Sequence, residues 1–168
     1  MHLSLKKLDA AVDTTSFHCT QKDGTKPLER FLKVHALDNQ KKRLSVTWVA
    51  LSGNKVCGYF SLASASIAID VLNPDEKTGY PKYTYYPAVL IGKFAVDDSS
   101  RNMGVGKWMM DRLVTLVLIS GKITAAAFLM VESKEESISY YRDVLQFKPT
   151  HLSSSGHLVM TRKLELEE

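Results

Sequence analysis

Residues 88–120 read AVLIGKFAVDDSSRNMGVGKWMMDRLVTLVLIS, and the change of pattern in their middle decides how the chain folds. Ala88 to Val96 form a nearly unbroken apolar run, the length and composition of a buried strand. After Gly104 the period changes. Lys107, Asp111, Arg112 and Thr115 fall on one stripe, and Trp108, Met109, Met110, Leu113, Val114 and Val117 form a broad apolar face, so the spacing predicts a helix packed on a sheet. Between them, Arg101-Asn102-Met103-Gly104-Val105-Gly106 places two glycines one residue apart at the changeover. Glycine permits a tight turn. It also lets a backbone approach an anion, and the N–H groups at a helix start are unpaired donors at the positive end of the helix dipole. Two readings therefore stand side by side: a turn, or a site where the N–H groups of Asn102 through Lys107 converge on one anion. The third glycine of a Rossmann fingerprint is absent, as is the Gly-Lys-Ser/Thr of a Walker loop.

Working outward, 168 residues with 45% apolar composition suit one compact domain over residues 1–168. Apolar runs such as Ala125–Val131 are strand-sized, well short of the roughly 18 residues a membrane helix needs. Lys6 and Lys7 are followed by no apolar segment of signal-peptide type, so the expected location is the cytoplasm. Cys19 and Cys57 support neither a disulfide framework nor a metal site and read as two reduced, packed thiols. The net charge of +4 is unevenly spread: Arg30, Lys33, Lys41, Lys42 and Arg43 belong to a basic first third that suits either a polyanionic partner or a solvated face.

Residues 24–36, GTKPLERFLKVHA, predict a helix with Thr25 as its cap, Pro27 in its first turn, and Leu28, Phe31, Leu32 and His35 on the inner face. His35 then reads as a core histidine. SVTWVAL and KVCGYFSLAS, separated by Ser52, Gly53 and Asn54, predict a hairpin. The segment from Asp70 to Pro87 holds three of the five prolines and four of the seven tyrosines, and reads as a surface connection or a substrate lip. ITAAAFLMV predicts a buried strand, KEESISYYRDVL a short helix with Ile138, Tyr141 and Leu145 on one face, and HLVMTRKL a last strand. The order of elements gives an α/β fold of mixed sheet and flanking helices.

Arg101-x-x-Gly104-x-Gly106 after a strand resembles the central motif of the GNAT superfamily of acetyl-CoA-dependent N-acetyltransferases. Phe17-His18-Cys19, Leu28-Glu29-Arg30-Phe31-Leu32, Ala36 to Gln40 and Gly58-Tyr59-Phe60 bring the resemblance closer to the GNAT toxins of bacterial toxin–antitoxin pairs. The resemblance implies a mostly antiparallel central sheet that splays between strands four and five. It implies that the loop Arg101, Asn102, Met103, Gly104, Val105, Gly106 and Lys107 holds the pyrophosphate of acetyl-CoA, and that Phe94, Ala95 and Val96 pair through their backbone with its pantetheine arm. An antitoxin protein is the implied partner, and a homodimer is common in the superfamily; no metal and no membrane are implied.

The toxins' last motif, Phe-Tyr-x-x-x-Gly-Phe, is replaced by YYRDVLQF, one residue longer and without the glycine. Counting forward from Glu135-Glu136-Ser137 gives Tyr141 the tyrosine's place and the role of general acid toward the leaving thiolate; Tyr140 is the alternative if the register shifts. Glu132, or a water held by backbone carbonyls, is the candidate acceptor of the amine proton, with a surface carboxylate as the plain reading of Glu132. His151 and His157 read as exposed. Three functions remain open on sequence: acetylation of the α-amine of aminoacyl-tRNA, with Arg30, Lys33, Lys41, Lys42 and Arg43 on its phosphates; acetylation of a small or protein amine; and a non-catalytic module that binds the cofactor.

Overall fold

The computed structural model describes residues 2–165, and among these lie seven strands and three α-helices. The strands are β1 (Ser4–Lys7), β2 (Val46–Ser52), β3 (Lys55–Ala68), β4 (Tyr85–Val96), β5 (Phe128–Ser133), β6 (Lys148–Ser154) and β7 (His157–Lys163), hydrogen-bonded in the order β1-β2-β3-β4-β5-β7-β6. The β1–β2, β2–β3, β5–β7 and β6–β7 pairs are antiparallel, whereas β4 and β5 run parallel. This is the mixed, mostly antiparallel sheet that the order of elements and the family resemblance led us to expect. The parallel ladder ends at Leu90↔Met130, although β4 runs on to Val96 and β5 to Ser133.

The chain forms two compact units, Met1–Ala63 with Gly92–Arg112 and Ser64–Ile91 with Leu113–Glu168. The first is built around Tyr59, whose ring meets Phe17 edge-on at 5.5 Å and stacks on Phe31 at 6.2 Å, while its hydroxyl donates to Leu28 O at 2.7 Å. Leu8, Leu32, Ala36, Val49 and Ala95 complete the core. Gln40 ties the helix to the sheet through both ends of its amide, donating to Leu8 O and accepting from Thr47 N. Phe17, Leu28, Phe31, Leu32, Ala36, Gln40 and Tyr59 are residues on which the toxin resemblance rests, and here their work is to fold the unit.

The helix of this unit is interrupted: α1 (Pro27–Arg30) and α2 (Ala36–Lys41) are joined by a π-helical turn, Phe31–His35. A turn closed by i→i+5 bonds holds one residue more than an α-turn. The inward position after Leu32 therefore falls to Ala36, and His35 is exposed rather than a core histidine. Nor does Thr25 cap the helix. Lys26 stands at the N-cap without a side-chain bond, and the Thr25 hydroxyl donates to Asp23 at 2.6 Å in a turn of its own.

In the second unit Tyr80, Tyr86 and Phe128 pack ring against ring at 5.5–5.9 Å, and Ile67, Leu72, Ala88 and Val159 close around them. The tyrosine-rich stretch thus divides: Tyr86 is core, Tyr80 is packed against it, and Tyr83 and Tyr85 are exposed. β5 begins at Phe128, later than the expected strand, because Ile123 lies in the turn after α3 (Val105–Ser120) and is 93% exposed. β1 and β6 carried no clear sequence signal. Both are edge strands, which pair on one side only and need little apolar patterning; Pro149, which has no N–H to donate, sits in β6. Glu76 is buried here, and its carboxylate accepts from Thr161 Oγ1 at 2.7 Å and from Asn73 Nδ2 at 2.8 Å. Among the described residues no helix is long and apolar enough to cross a membrane, and no group of three metal-ligating side chains occurs.

Candidate active site

The end of β4 is fixed to β3 by a bond from Asp97 N to Cys57 O at 2.9 Å, and a 3-10 turn, Asp98–Ser100, follows. The chain then passes through two left-handed residues, Asn102 (φ 61°) and Gly104 (φ 78°), before α3 begins at Val105. Asparagine and glycine are the residues that tolerate this backbone. Trp108 N bonds Gly104 O at 3.0 Å, so the N–H groups of Val105, Gly106 and Lys107 precede the first intrahelical bond and are the orphan donors of the helix start. A Cβ on Gly104 would meet nothing within 4 Å. Open space beside a sixteen-residue helix's positive end fits a diphosphate.

Arg101 takes a different direction. Its Nη2 lies 2.7 Å from Asp98 Oδ1, donates to Thr20 O at 2.8 Å and reaches Cys19 Sγ at 3.9 Å. The guanidinium is engaged with its own unit, and the loop's backbone is what remains to face an anion. Ala95 of β4 is buried, with Phe94 and Val96 half-buried on either side. Gly58 is a positioning feature that sequence reading passed over: a Cβ there would stand 2.8 Å from Met109 Sδ and 2.9 Å from Ala95 O. Its missing side chain lets the first turns of α3 lie close on the strands, and the signal for it was a glycine inside a strand-forming run. Cys19 and Cys57 are buried free thiols, and burial pushes the Cys19 pKa up.

No protein-family profile matches the chain. A tRNA-acetylating toxin of Mycobacterium tuberculosis (strain ATCC 25618 / H37Rv) is 26% identical over 137 residues, covering 81% of this chain and 79% of that protein. Among solved structures, AtaT complexed with acetyl-methionyl-tRNAfMet superposes with a TM-score of 0.80 at 21% identity, covering 94% of each chain. A tyrosine-to-phenylalanine mutant of KacT superposes with a TM-score of 0.82 at 20% identity over 98% of this chain and 96% of that one. The fold is that of the GNAT toxins.

Against the toxin pattern, the irregular YYRDVLQF segment becomes readable. Instead of one regular helix over 134–145, the chain makes a 3-10 turn, Glu135–Ser137, and then, within that segment, a π-helical turn, Tyr140–Val144, closed by Leu145 N to Tyr140 O at 3.2 Å. The π turn accommodates the added residue. Gln146, at φ 62°, adopts the left-handed backbone in the place of the toxins' glycine. With one residue taken up by the π turn, a count back from Phe147 reaches Tyr141, the residue that the forward count also reaches. Left-handed backbone costs a non-glycine residue about 1–2 kcal/mol, and part of any relief is offset by the extra freedom glycine gains in the unfolded chain. Gln146→Gly is therefore expected to stabilise by about 1 kcal/mol, a rise in Tm of about 2–4 °C in thermal unfolding. An unchanged or lower Tm would mean that the glutamine side chain contributes more than its backbone costs.

Tyr141 is buried, its ring edge-on to Phe147 at 5.5 Å and to Tyr140 at 6.2 Å. Burial pushes its phenol pKa well up, with Tyr140 adding to the shift, so the hydroxyl keeps its proton at neutral pH and is a donor rather than a base. Tyr140 is partly exposed. Glu132 is exposed on β5, His151 is exposed and His157 half-buried. Of the basic residues, Arg30, Lys41 and Arg43 are exposed, Lys41 and Arg43 following one another closely at the C-terminal end of α2, where cations also complement the helix dipole. Lys33 and Lys42 are engaged: Lys33 bonds Glu29 at 2.9 Å and holds that carboxyl down at about 2, while Lys42 bonds Asp38 at 2.8 Å.

Proposed function

We propose that this chain is a single-domain, acetyl-CoA-dependent N-acetyltransferase that acts on the α-amine of aminoacyl-tRNA in the cytoplasm and is held in check by an antitoxin protein. The observation that carries this reading is the loop from Asn102 to Lys107, with its left-handed turn, orphan N–H groups and open side, in a fold shared with AtaT complexed with acetyl-methionyl-tRNAfMet. The AtaT–AtaR complex with acetyl-CoA supports the cofactor and the partner.

Acetyl-CoA supplies an acetyl thioester. The backbone N–H groups of Arg101 to Lys107 hold its diphosphate, and the backbone of Phe94, Ala95 and Val96 orients the pantetheine arm. In the transfer the amine nitrogen forms a bond to the acetyl carbon, the carbon–sulfur bond breaks, the amine loses a proton and the thiolate gains one. Tyr141 provides the donor toward the sulfur. A phenol kept neutral by burial suits that role. Arg30, Lys41 and Arg43 contact phosphates directly, whereas Lys33 and Lys42 must first give up their carboxylates.

The direct test incubates the purified protein with radiolabelled acetyl-CoA and an aminoacyl-tRNA pool beside polyamines, amino acids and ribosomal proteins. Label on aminoacyl-tRNA is the expected result. Its log–log salt slope should fall by roughly 0.7–0.9 for each phosphate left without its cation when Arg30, Lys41 or Arg43 is neutralised. Label on a polyamine or a protein alone makes it an acetyltransferase of another acceptor. No label anywhere makes it a binding module.

A further inference from the structure

The strongest unassigned group is a buried acid beside the loop just described. Asp97 is 2% exposed. Its Oδ2 accepts from His18 N at 2.9 Å, and its Oδ1 from Ser99 N at 3.0 Å and Ser99 Oγ at 2.6 Å. Lys55 Nζ stands 3.6 Å from Oδ1 and donates to Ser99 Oγ. Burial raises the Asp97 pKa, but the Ser99 and His18 donors and the Lys55 charge outweigh it and hold the carboxyl below its ordinary value. The next residue continues the same seam: Asp98 N bonds His18 O at 2.8 Å, the Asp98 carboxylate accepts from Thr20 N at 3.1 Å, and Arg101 spans from Asp98 to Thr20 O.

A carboxylate so near an anion-binding loop repels the ligand, so electrostatic attraction does not account for it. Its four close partners account for it geometrically. We propose that Asp97 is a positioning residue for the cofactor loop: by gripping Ser99 and the 18–20 segment at once, it fixes the turn through Arg101 to Gly104 so that the helix-start N–H groups are arranged before the diphosphate arrives. Arg101 belongs to the same tie, clamping the turn to Thr20 instead of touching phosphate. A preset donor array binds more tightly than one ordered during binding, because the ordering entropy has already been spent in folding.

The inference rests on the cofactor reading above, and the test separates the two. Asp97→Asn keeps the size of the side chain but turns one acceptor into a donor facing a donor. In calorimetric titration of the full chain with acetyl-CoA, its Kd is expected to rise about tenfold or more. Turnover at saturating acetyl-CoA should stay within about threefold, so that KM for acetyl-CoA rises and kcat does not. Ser99→Ala, at an exposed position, removes one of the gripped donors and should raise Kd about threefold. Unchanged Kd in folded Asp97→Asn overturns the role, as does a fall in kcat with KM unchanged. Should Asp97→Asn not fold, the Kd of Ser99→Ala decides in the same sense. Failure of the wild-type chain to bind acetyl-CoA overturns the cofactor reading itself, and this one with it.

Discussion

Replacing Tyr141 by phenylalanine is expected to lower turnover about 10²-fold or more while leaving acetyl-CoA affinity within about a factor of two. The substitution removes one oxygen from a ring that packs on Phe147 and Tyr140, and phenylalanine preserves both ring contacts. A factor of 10² corresponds to about 2.7 kcal/mol in the barrier, the scale of one proton-transfer interaction made in the transition state. The raised pKa sets the sign of the pH dependence: the hydroxyl stays protonated beyond the ordinary tyrosine value near 10, so an alkaline limb below that pH belongs to another group. Tyr140→Phe should be mild. If the two substitutions exchanged these effects, the π turn would present Tyr140 rather than Tyr141; if both were mild, the leaving thiolate takes its proton from solvent.

Gly104→Val is expected to weaken acetyl-CoA binding about 10²-fold or more, since each charge-assisted hydrogen bond that a displaced diphosphate forfeits is worth about 1.5–3 kcal/mol. Valine at φ 78° is also strained, so this variant alone confounds space with backbone. Gly104→Asn separates them. Asparagine tolerates the left-handed region, yet its Cβ enters the same open side, where a Cβ meets no protein atom within 4 Å. Calorimetry with acetyl-CoA should find both variants defective, with only the valine protein losing thermal stability. Normal binding by Gly104→Asn would assign the glycine to the turn and not to an anion.

These two positions also mark how far the sequence could be read. Residues 88–120 announced strand, turn and helix correctly, because the period of apolar residues and the left-handed tolerance of Asn102 and Gly104 are local properties that neighbours along the chain determine. The toxin resemblance was likewise visible, and four of the residues that carry it, Phe17, Leu32, Ala36 and Tyr59, fill one core. What the sequence could not determine was anything that depends on a partner far along the chain. His18 and Asp97 are 79 positions apart, and only folding brings the backbone N–H of one to the carboxylate of the other. Arg101, read as a cofactor ligand, turns to Thr20 and Asp98 for the same reason. The edge strands β1 and β6 exist because a neighbouring strand offers its backbone, which no apolar pattern of their own records. The two π turns were equally hidden: one leaves His35 in solvent, and the other occupies Tyr140–Val144, where the apolar spacing predicts a regular helix, because a wider i→i+5 turn leaves no mark in the spacing of residue types.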